Sequence, residues 1–481
     1  MKASLQDASG LGRGSTSGRR RTSGDYSGLN DRVATILAVT VCLSAVPLGS
    51  NRPFWWLAFG LLIGLLASYY LARGARIAPE RRLQVTQFRS LVLLACLVPV
   101  FAIVQALPIV DLLPPGLSAL PASVPAQLGP STLSLQPDAS LLGALRAMIY
   151  LTFVCLVIEV STRTKRTLRL AWILFIGVVL HAAWGLIALN LLGDIALWGP
   201  KRSYLGVATG TFVNRNSYAS FLGFGLVLGL ALVMQHARSP SPAKRRFLSE
   251  GHLERVILGG MLFIVLFALL STQSRLGTLA TALGAVVTFT IMRAKGGAGV
   301  SRAVLEAVGV SIGLLAVGLA VVGSGVLERM VFLENEAASR LEIYRQVVGM
   351  IASRPWTGFG YDAFAPAFEL FRSAPLLSDR EVDLAHNSYL TLWSEIGVII
   401  GSVPLLLLVI SAVMVFRKVL RASDNPAIPA AAMGALVLGA THSMGDFSLE
   451  IPANVLLFLA LIGMAVAKSP VSERTKRKVE P

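Results

Sequence analysis

Apolar runs of roughly 18–22 residues follow one another along nearly the whole chain, and each is long enough for a helix to cross the ~30 Å hydrocarbon core of a bilayer. Hydrophobic residues make up 54% of the 481 positions and charged residues only 14%. A soluble protein of this length could not hide so much apolar surface. The expected fold is therefore an all-α polytopic membrane protein. Twelve spans are expected, at about 33–48, 54–73, 89–108, 140–159, 168–190, 216–235, 255–271, 274–293, 303–324, 387–416, 427–442 and 450–467. The tenth is long, which is read as first turns projecting beyond the bilayer.

Basic residues orient the spans. The net charge of +17 is better read as Lys and Arg retained on the cytoplasmic side than as an affinity for nucleic acid. With the N-terminus inside, the inner segments include "ARGARIAPERR", "STRTKRTLR", "ARSPSPAKRR", "RAKGGAGVSR", "FRKVLR" and "SERTKRK", and together with the N-terminal tail the inner side holds 31 of the 43 Lys and Arg. The Pro-rich loop 109–139 falls outside and carries none. Both termini are then cytoplasmic. Residues 1–31, rich in Gly, Ser and Arg and without an apolar core, read as a disordered tail rather than a cleaved signal peptide. The membrane domain divides into spans one to nine (32–324) and ten to twelve (386–467), separated by a long outer loop (325–385) with amphipathic helices and followed by a basic tail (468–481). Cys42, Cys96 and Cys155 lie in apolar runs and show neither a disulfide framework nor zinc spacing.

Against this charge bias, several cations stay on the outer side at helix mouths. Arg215 stands between Asn214 and Asn216 in "GTFVNRNSYASFL", Arg275 opens a span in "SRLGTLA", and Arg340 and Arg345 lie in the long loop. One such arginine alone reads as an interfacial anchor or a snorkelling side chain. Several mouths on one side point instead to a shared anion site. Helix N-termini offer free N–H groups and partial positive charge, and guanidinium forks suit phosphate oxygens. In the loop, Ser339 to Glu342 fits a capping box that would start a helix nearby. Leu341, Tyr344, Val348 and Ile351 would form its apolar face, beside Arg340. Pro355 would end it, with a glycine turn at Gly358 and Gly360. A helix merely resting on the membrane competes with this reading for Tyr344 and Arg345.

His386 opens the tenth span in "HNSYLTLWSEIGVIIG". A lone histidine there is usually a cap or interfacial residue. Its outer position, Asp383 three residues before it, and Leu390 and Trp393 on its face favour a shielded general base. Glu395, about 180° around the helix, would point away from it and be structural. His181 reads as a buried polar contact and Arg146 as reaching the interface. "THSMGDFSLEIPAN" (441–454) reads as a polar hairpin, with an acceptor path as the alternative. There is no Asp-x-Asp pair and no P-loop, so no metal, nucleotide or other cofactor is expected.

Taken together, "GTFVNRNSYASFL", "SRLGTLA", "SRLEIYRQVVGMIASRPWTGFGYDAF" and "HNSYLTLWSEIGVIIG" resemble the O-antigen ligase family of bacterial inner-membrane glycosyltransferases, which includes related polysaccharide polymerases. The resemblance implies a metal-independent inverting transfer at the periplasmic face. The donor would be a glycan on undecaprenyl pyrophosphate, and the acceptor the lipid A core of lipopolysaccharide or, in a polymerase, a second lipid-linked glycan. It further implies that Arg215 and Arg275 hold the pyrophosphate and Arg340 supports it. His386 would take the acceptor proton, with Asn214, Asn216, Tyr344 and Asn387 binding substrate. A secondary transporter or flippase is the alternative from another class. Such proteins tend to carry midplane charges and internal repeats, whereas these charges sit at outer helix mouths.

Overall fold

The computed structural model describes residues 13–118, 120, 131–238, 248–322, 326–376, 382–422 and 425–467. Among them the chain is helical throughout, apart from a hairpin of two two-residue strands, Ile195–Ala196 and Gly199–Pro200. The helices are α1 (Arg13–Ser44), α2 (Pro53–Ile77), α3 (Arg89–Gln105), α4 (Pro137–Val160), α5 (Thr164–Asn190), α6 (Arg215–Arg238) and α7 (Leu248–Ser271). They continue with α8 (Arg275–Ala294), α9 (Val300–Val322), α10 (Val326–Ser353), α11 (Phe364–Glu369), α12 (Ser388–Arg421), α13 (Ala427–His442) and α14 (Pro452–Val466).

A helix lies at each of the twelve expected spans. Eight stretches, those of α2 to α8 and α12, are long and apolar enough to cross a membrane by length and composition. The chain is a multi-pass membrane protein. α13 and α14 are shorter, with 16 and 15 residues, because the polar connector between them interrupts both.

Local chemistry sets the helix starts. α2, α4 and α14 begin on proline, whose missing N–H is one the first turn leaves unpaired anyway. α8 and α12 begin after side-chain caps: Ser274 accepts from Gly277 N, and Asn387 from Tyr389 N and Leu390 N. α6, the most buried of the eight, forms the centre with α8 and α13. Small residues allow the close approach: a Cβ on Gly284 would lie 2.6 Å from the Gly434 carbonyl of α13.

Expectations for the tail and the loop helix change. The N-terminal tail does not extend to residue 31. α1 already runs from Arg13, and Tyr26 and Asn30 are buried. Polar anchors replace the missing apolar ones: Tyr26 meets Tyr70 (2.9 Å), and Arg166 reaches the Asp31 carboxylate (2.6 Å) and the Ser27 carbonyl (3.2 Å). Residues 1–12 and the basic tail 468–481 lie outside the described residues.

The loop helix does not start at Ser339, since α10 runs continuously from Val326. Glu342 does not complete a capping box; it accepts from Gln346 Nε2 (2.8 Å) and pairs with Arg345 (3.2 Å). The buried face of α10 is also different. Ile343, Val347 and Met350 are buried against Phe359, Phe364 and Phe368, while Leu341 and Val348 are exposed. Both sets satisfy helical spacing, so periodicity alone did not choose between them.

The tenth span is interrupted. α12 is broken at Ile396 and Gly397, the latter with φ +71°. The 355–360 turn fills the break: Val398 N donates to Pro355 O (2.7 Å), Phe359 N to Ser394 O (3.0 Å) and Gly360 N to Glu395 O (2.9 Å). Gln105 Nε2 adds bonds to Thr357 O (2.7 Å) and Glu395 O (2.8 Å). A Cβ on Gly397 would lie 2.3 Å from the Trp356 carbonyl, so the turn requires glycine there. The end of the Pro-rich loop joins the same knot, Leu135 N donating to Phe359 O (2.9 Å) and the buried Arg354 to Leu133 O (3.0 Å).

Arg146 has a partner that the sequence did not show. It forms an ion pair with Asp362, beneath the Trp56 ring. His181 is a buried polar contact, as expected, between Cys42 O (3.0 Å) and Thr211 Oγ1 (3.2 Å).

Candidate functional site

Four of the eight singled-out residues, Asn216, Arg340, His386 and Asn387, meet one short segment, the connector Ser443–Ile451 between α13 and α14. Asn214 caps α6, its Oδ1 accepting from Asn216 N (2.7 Å), which sets Arg215 at the first helical position. Asn216 then reaches two ways. Its Nδ2 donates to Asp446 of the connector (2.8 Å), and its Oδ1 accepts from Ser274 Oγ (2.8 Å), the cap of α8. One asparagine thus fixes the spacing of the α6 and α8 mouths, and with it the positions of Arg215 and Arg275. Next to Arg275, the Leu276 side chain lies so close to Gly445 that a Cβ there would come within 2.9 Å of it.

The loop helix and α12 dock on the same segment. Arg340 Nη1 donates to Gly445 O (2.8 Å), Tyr344 Oη to His386 O (2.9 Å) and Asn387 Nδ2 to Met444 O (3.0 Å). Ser388 N donates to Ser443 O (3.1 Å), and its hydroxyl to Glu450 (2.8 Å). Burial pushes the Tyr344 phenol up; Arg340 pulls it back and Asp446 opposes that pull. Burial likewise lifts the Glu450 carboxyl to about 7.

Three helix N-termini, of α6, α8 and α12, therefore open at one place, and three arginines accompany them. The Arg215 Nε is buried and finds no hydrogen-bond partner among the described residues; its guanidinium faces the Tyr204 ring at 5.7 Å. Arg275 is exposed at the start of α8. Asp446, fully buried, is held by Asn216 and Ser448 and lies 3.8 Å from His442. Such an arrangement can hold an anion by charge, helix dipole and forked guanidinium donors together.

His386 has φ +52°, a left-handed conformation that only a few per cent of non-glycine residues adopt. The Tyr344 bond to its carbonyl and the Asn387 cap hold it there. Asp383 is exposed, and Trp393 turns to Ser402 Oγ (3.1 Å). The imidazole lies instead against Phe447, ring centroids 5.3 Å apart. Glu395 is structural, buried with its carboxylate on Phe364 N (3.3 Å).

Sequence reasoning brought His442 and the connector's Asp446 and Glu450 to the outer side but missed the connector's organising place, and it passed over Gly445, Phe447 and Tyr204. "SMGDFSLE" is strongly polar for a link between two buried apolar helices, and that contrast was its signal. Among the described residues no group of three or more His, Cys, Asp or Glu side chains is placed to hold a metal ion.

A comparison with curated proteins finds no match. A comparison with family models matches residues 260–406 to the family described as O-antigen ligase. The match takes in Arg275, Arg340, Tyr344, His386 and Asn387, whereas Asn214, Arg215, Asn216 and the connector lie outside it. Over residues 260–406 the chain carries the domain of the O-antigen ligase family, a family of ligase- and polymerase-type glycosyltransferases.

Proposed function

We propose that the protein is a metal-independent, inverting glycosyltransferase of the bacterial inner membrane. It moves a glycan from undecaprenyl pyrophosphate to the lipid A core of lipopolysaccharide at the periplasmic face. The observation that supports this reading is that the mouths of α6, α8 and α12, which carry Arg215, Arg275 and His386, are tied through Asn216, Ser274 and Asn387 to one connector that Arg340 also holds.

In this mechanism the pyrophosphate lies against Arg215 and Arg275, the N-termini of α6 and α8 completing its charge balance. Arg340 holds the connector and adds its charge. His386 takes the proton of the acceptor hydroxyl as the hydroxyl oxygen attacks the anomeric carbon from the face opposite the pyrophosphate. The bond from that carbon to the pyrophosphate oxygen breaks, and configuration inverts. Charge builds on the departing pyrophosphate, where preorganised guanidinium groups act most strongly. Pyrophosphate leaves readily, so the step demands neither a metal nor a nucleotide.

A polymerase acting on the same donor is the second reading, since the connector and arginines serve its donor equally. The transporter reading fits less well. α12 is broken, as transporter helices often are, but protein groups take up its freed backbone. Deleting the gene and analysing the lipid-linked pool tests the reading. Full-length polymer left on the carrier means ligase and single repeats mean polymerase. An unchanged glycan pool would refute both.

A further inference from the structure

A cavity of about 400 Å³ lies among α3, α4, α12, α13 and α14. Arg215, Arg275, Arg340 and His386 do not line it, although it adjoins their site through Ser388, Ser443 and Glu450, which dock α12 on the connector. Its walls are apolar, with Leu91, Val154, Leu408, Phe458 and Ile462 among them. On α4 they extend from Arg146 to Ile158, about 18 Å of helix, more than half the ~30 Å hydrocarbon core. That is the length and character of a slot for an aliphatic chain.

One end is polar, and its chemistry is selective. Among the described residues that line it the one cation, Arg146, is committed to Asp362. Glu395 and Glu450 add two more carboxyl groups. A phosphate head would meet these carboxyls with no free cation to balance it. Hydroxyls of Tyr150, Tyr361, Ser388 and Ser443 also line this end and offer both donors and acceptors. The Tyr150 hydroxyl is buried and finds no hydrogen-bond partner among the described residues. A buried hydroxyl facing a cavity is normally satisfied, so this one is set to meet a ligand.

We propose that this cavity is a second lipid site, which takes an aliphatic chain carrying an uncharged polyol head. The chain lies between α4 and α14, and the head hydroxyls meet Tyr150, Ser388 and the carboxyl groups. The site is distinct from the one assigned to the pyrophosphate donor and does not depend on that assignment.

The test is photolabelling of the full-length protein in nanodiscs, prepared without glycoside detergent. The probe is a dodecyl glycoside with a diazirine at the chain end. Labels are expected on cavity residues of α4 and α14, such as Val154 and Phe458. Dodecyl maltoside should compete at least tenfold better than dodecyl phosphate or dodecyltrimethylammonium. Tyr150→Phe, which removes only the hydroxyl, should lower labelling about 2–10-fold. Ala147→Trp, which fills the slot, should abolish it; if that variant does not fold, Tyr150→Phe decides. Equal competition by the phosphate or the ammonium, labels spread over lipid-facing surfaces, or full labelling of Tyr150→Phe would overturn the proposal. None of these readouts needs glycan transfer, so they stand apart from the proposed activity.

Discussion

Asn216 is the point at which to disturb the site without touching a proposed charge. Its amide donates to the buried Asp446 carboxylate and accepts from the cap of α8, both at 2.8 Å. Asn216→Ala removes a hydrogen bond to a charged group, worth about 1.5–3 kcal/mol, and a neutral one worth about 1 kcal/mol. The summed cost is about 2–4 kcal/mol. Asn216→Asp should cost more. It places a second carboxylate beside Asp446 where a donor stood, and like charges at that distance cannot both ionise in a buried site. A cycle with Asp446→Asn separates the direct contact from general damage. Asn216→Asp and Asp446→Asn together restore a donor facing an acceptor, so the double variant should recover at least 1 kcal/mol relative to additivity. The assay is denaturant unfolding of purified protein, with glycan transfer measured alongside. Should Asn216→Asp unfold like wild type, or the two changes add within about 0.5 kcal/mol, the connector does not tie the two helix mouths together.

Two further substitutions probe other parts of the architecture. Gly397→Ala puts a Cβ 2.3 Å from the Trp356 carbonyl at φ +71°. It should cost at least 2–3 kcal/mol and expose the 355–360 turn to protease, so an unchanged digestion pattern would argue against the docked break. Glu450 gives a pH dependence. Its carboxyl is raised to about 7 by burial, so the ionised form is disfavoured in the folded protein. The resulting penalty is absent below the unfolded value near 4.3, grows as pH rises toward 7 and is complete above it. Glu450→Gln should therefore gain stability over wild type as pH rises from 5 to 8, by an order of 1–3 kcal/mol; melting curves with a pH-independent difference would contradict this.

The helices themselves were legible because apolar runs of membrane length leave few other outcomes. The site residues were legible because Asn-Arg-Asn and Ser-Arg at helix mouths violate the expected charge bias. What the sequence did not reveal depends on packing between distant segments. The break in α12 shows only as "EIGV" in an apolar run, since its cause is a turn some forty residues earlier that supplies the missing partners. The face of α10 was misread because Leu341, Tyr344, Val348 and Ile351 and the buried Ile343, Val347 and Met350 share one period. The pairing of Arg146 with Asp362 was not legible because the two lie far apart along the chain. The connector was hardest to read, because Asp446 acquires its role only when Asn216 arrives from another helix.

Glycan transfer by purified protein from a lipid-pyrophosphate donor, in EDTA and without ATP, tests the central claim most directly. Wild type should transfer. Arg215→Ala and Arg275→Ala should each lower the rate about 10²–10³-fold, the usual loss when one donor to a developing oxyanion is removed. His386→Ala should lower it about 10²–10⁴-fold, as loss of a general base does. Arg275→Lys should also be impaired, because a point charge does not replace a fork. Full activity in all three alanine variants, or a strict metal requirement in wild type, would contradict the account.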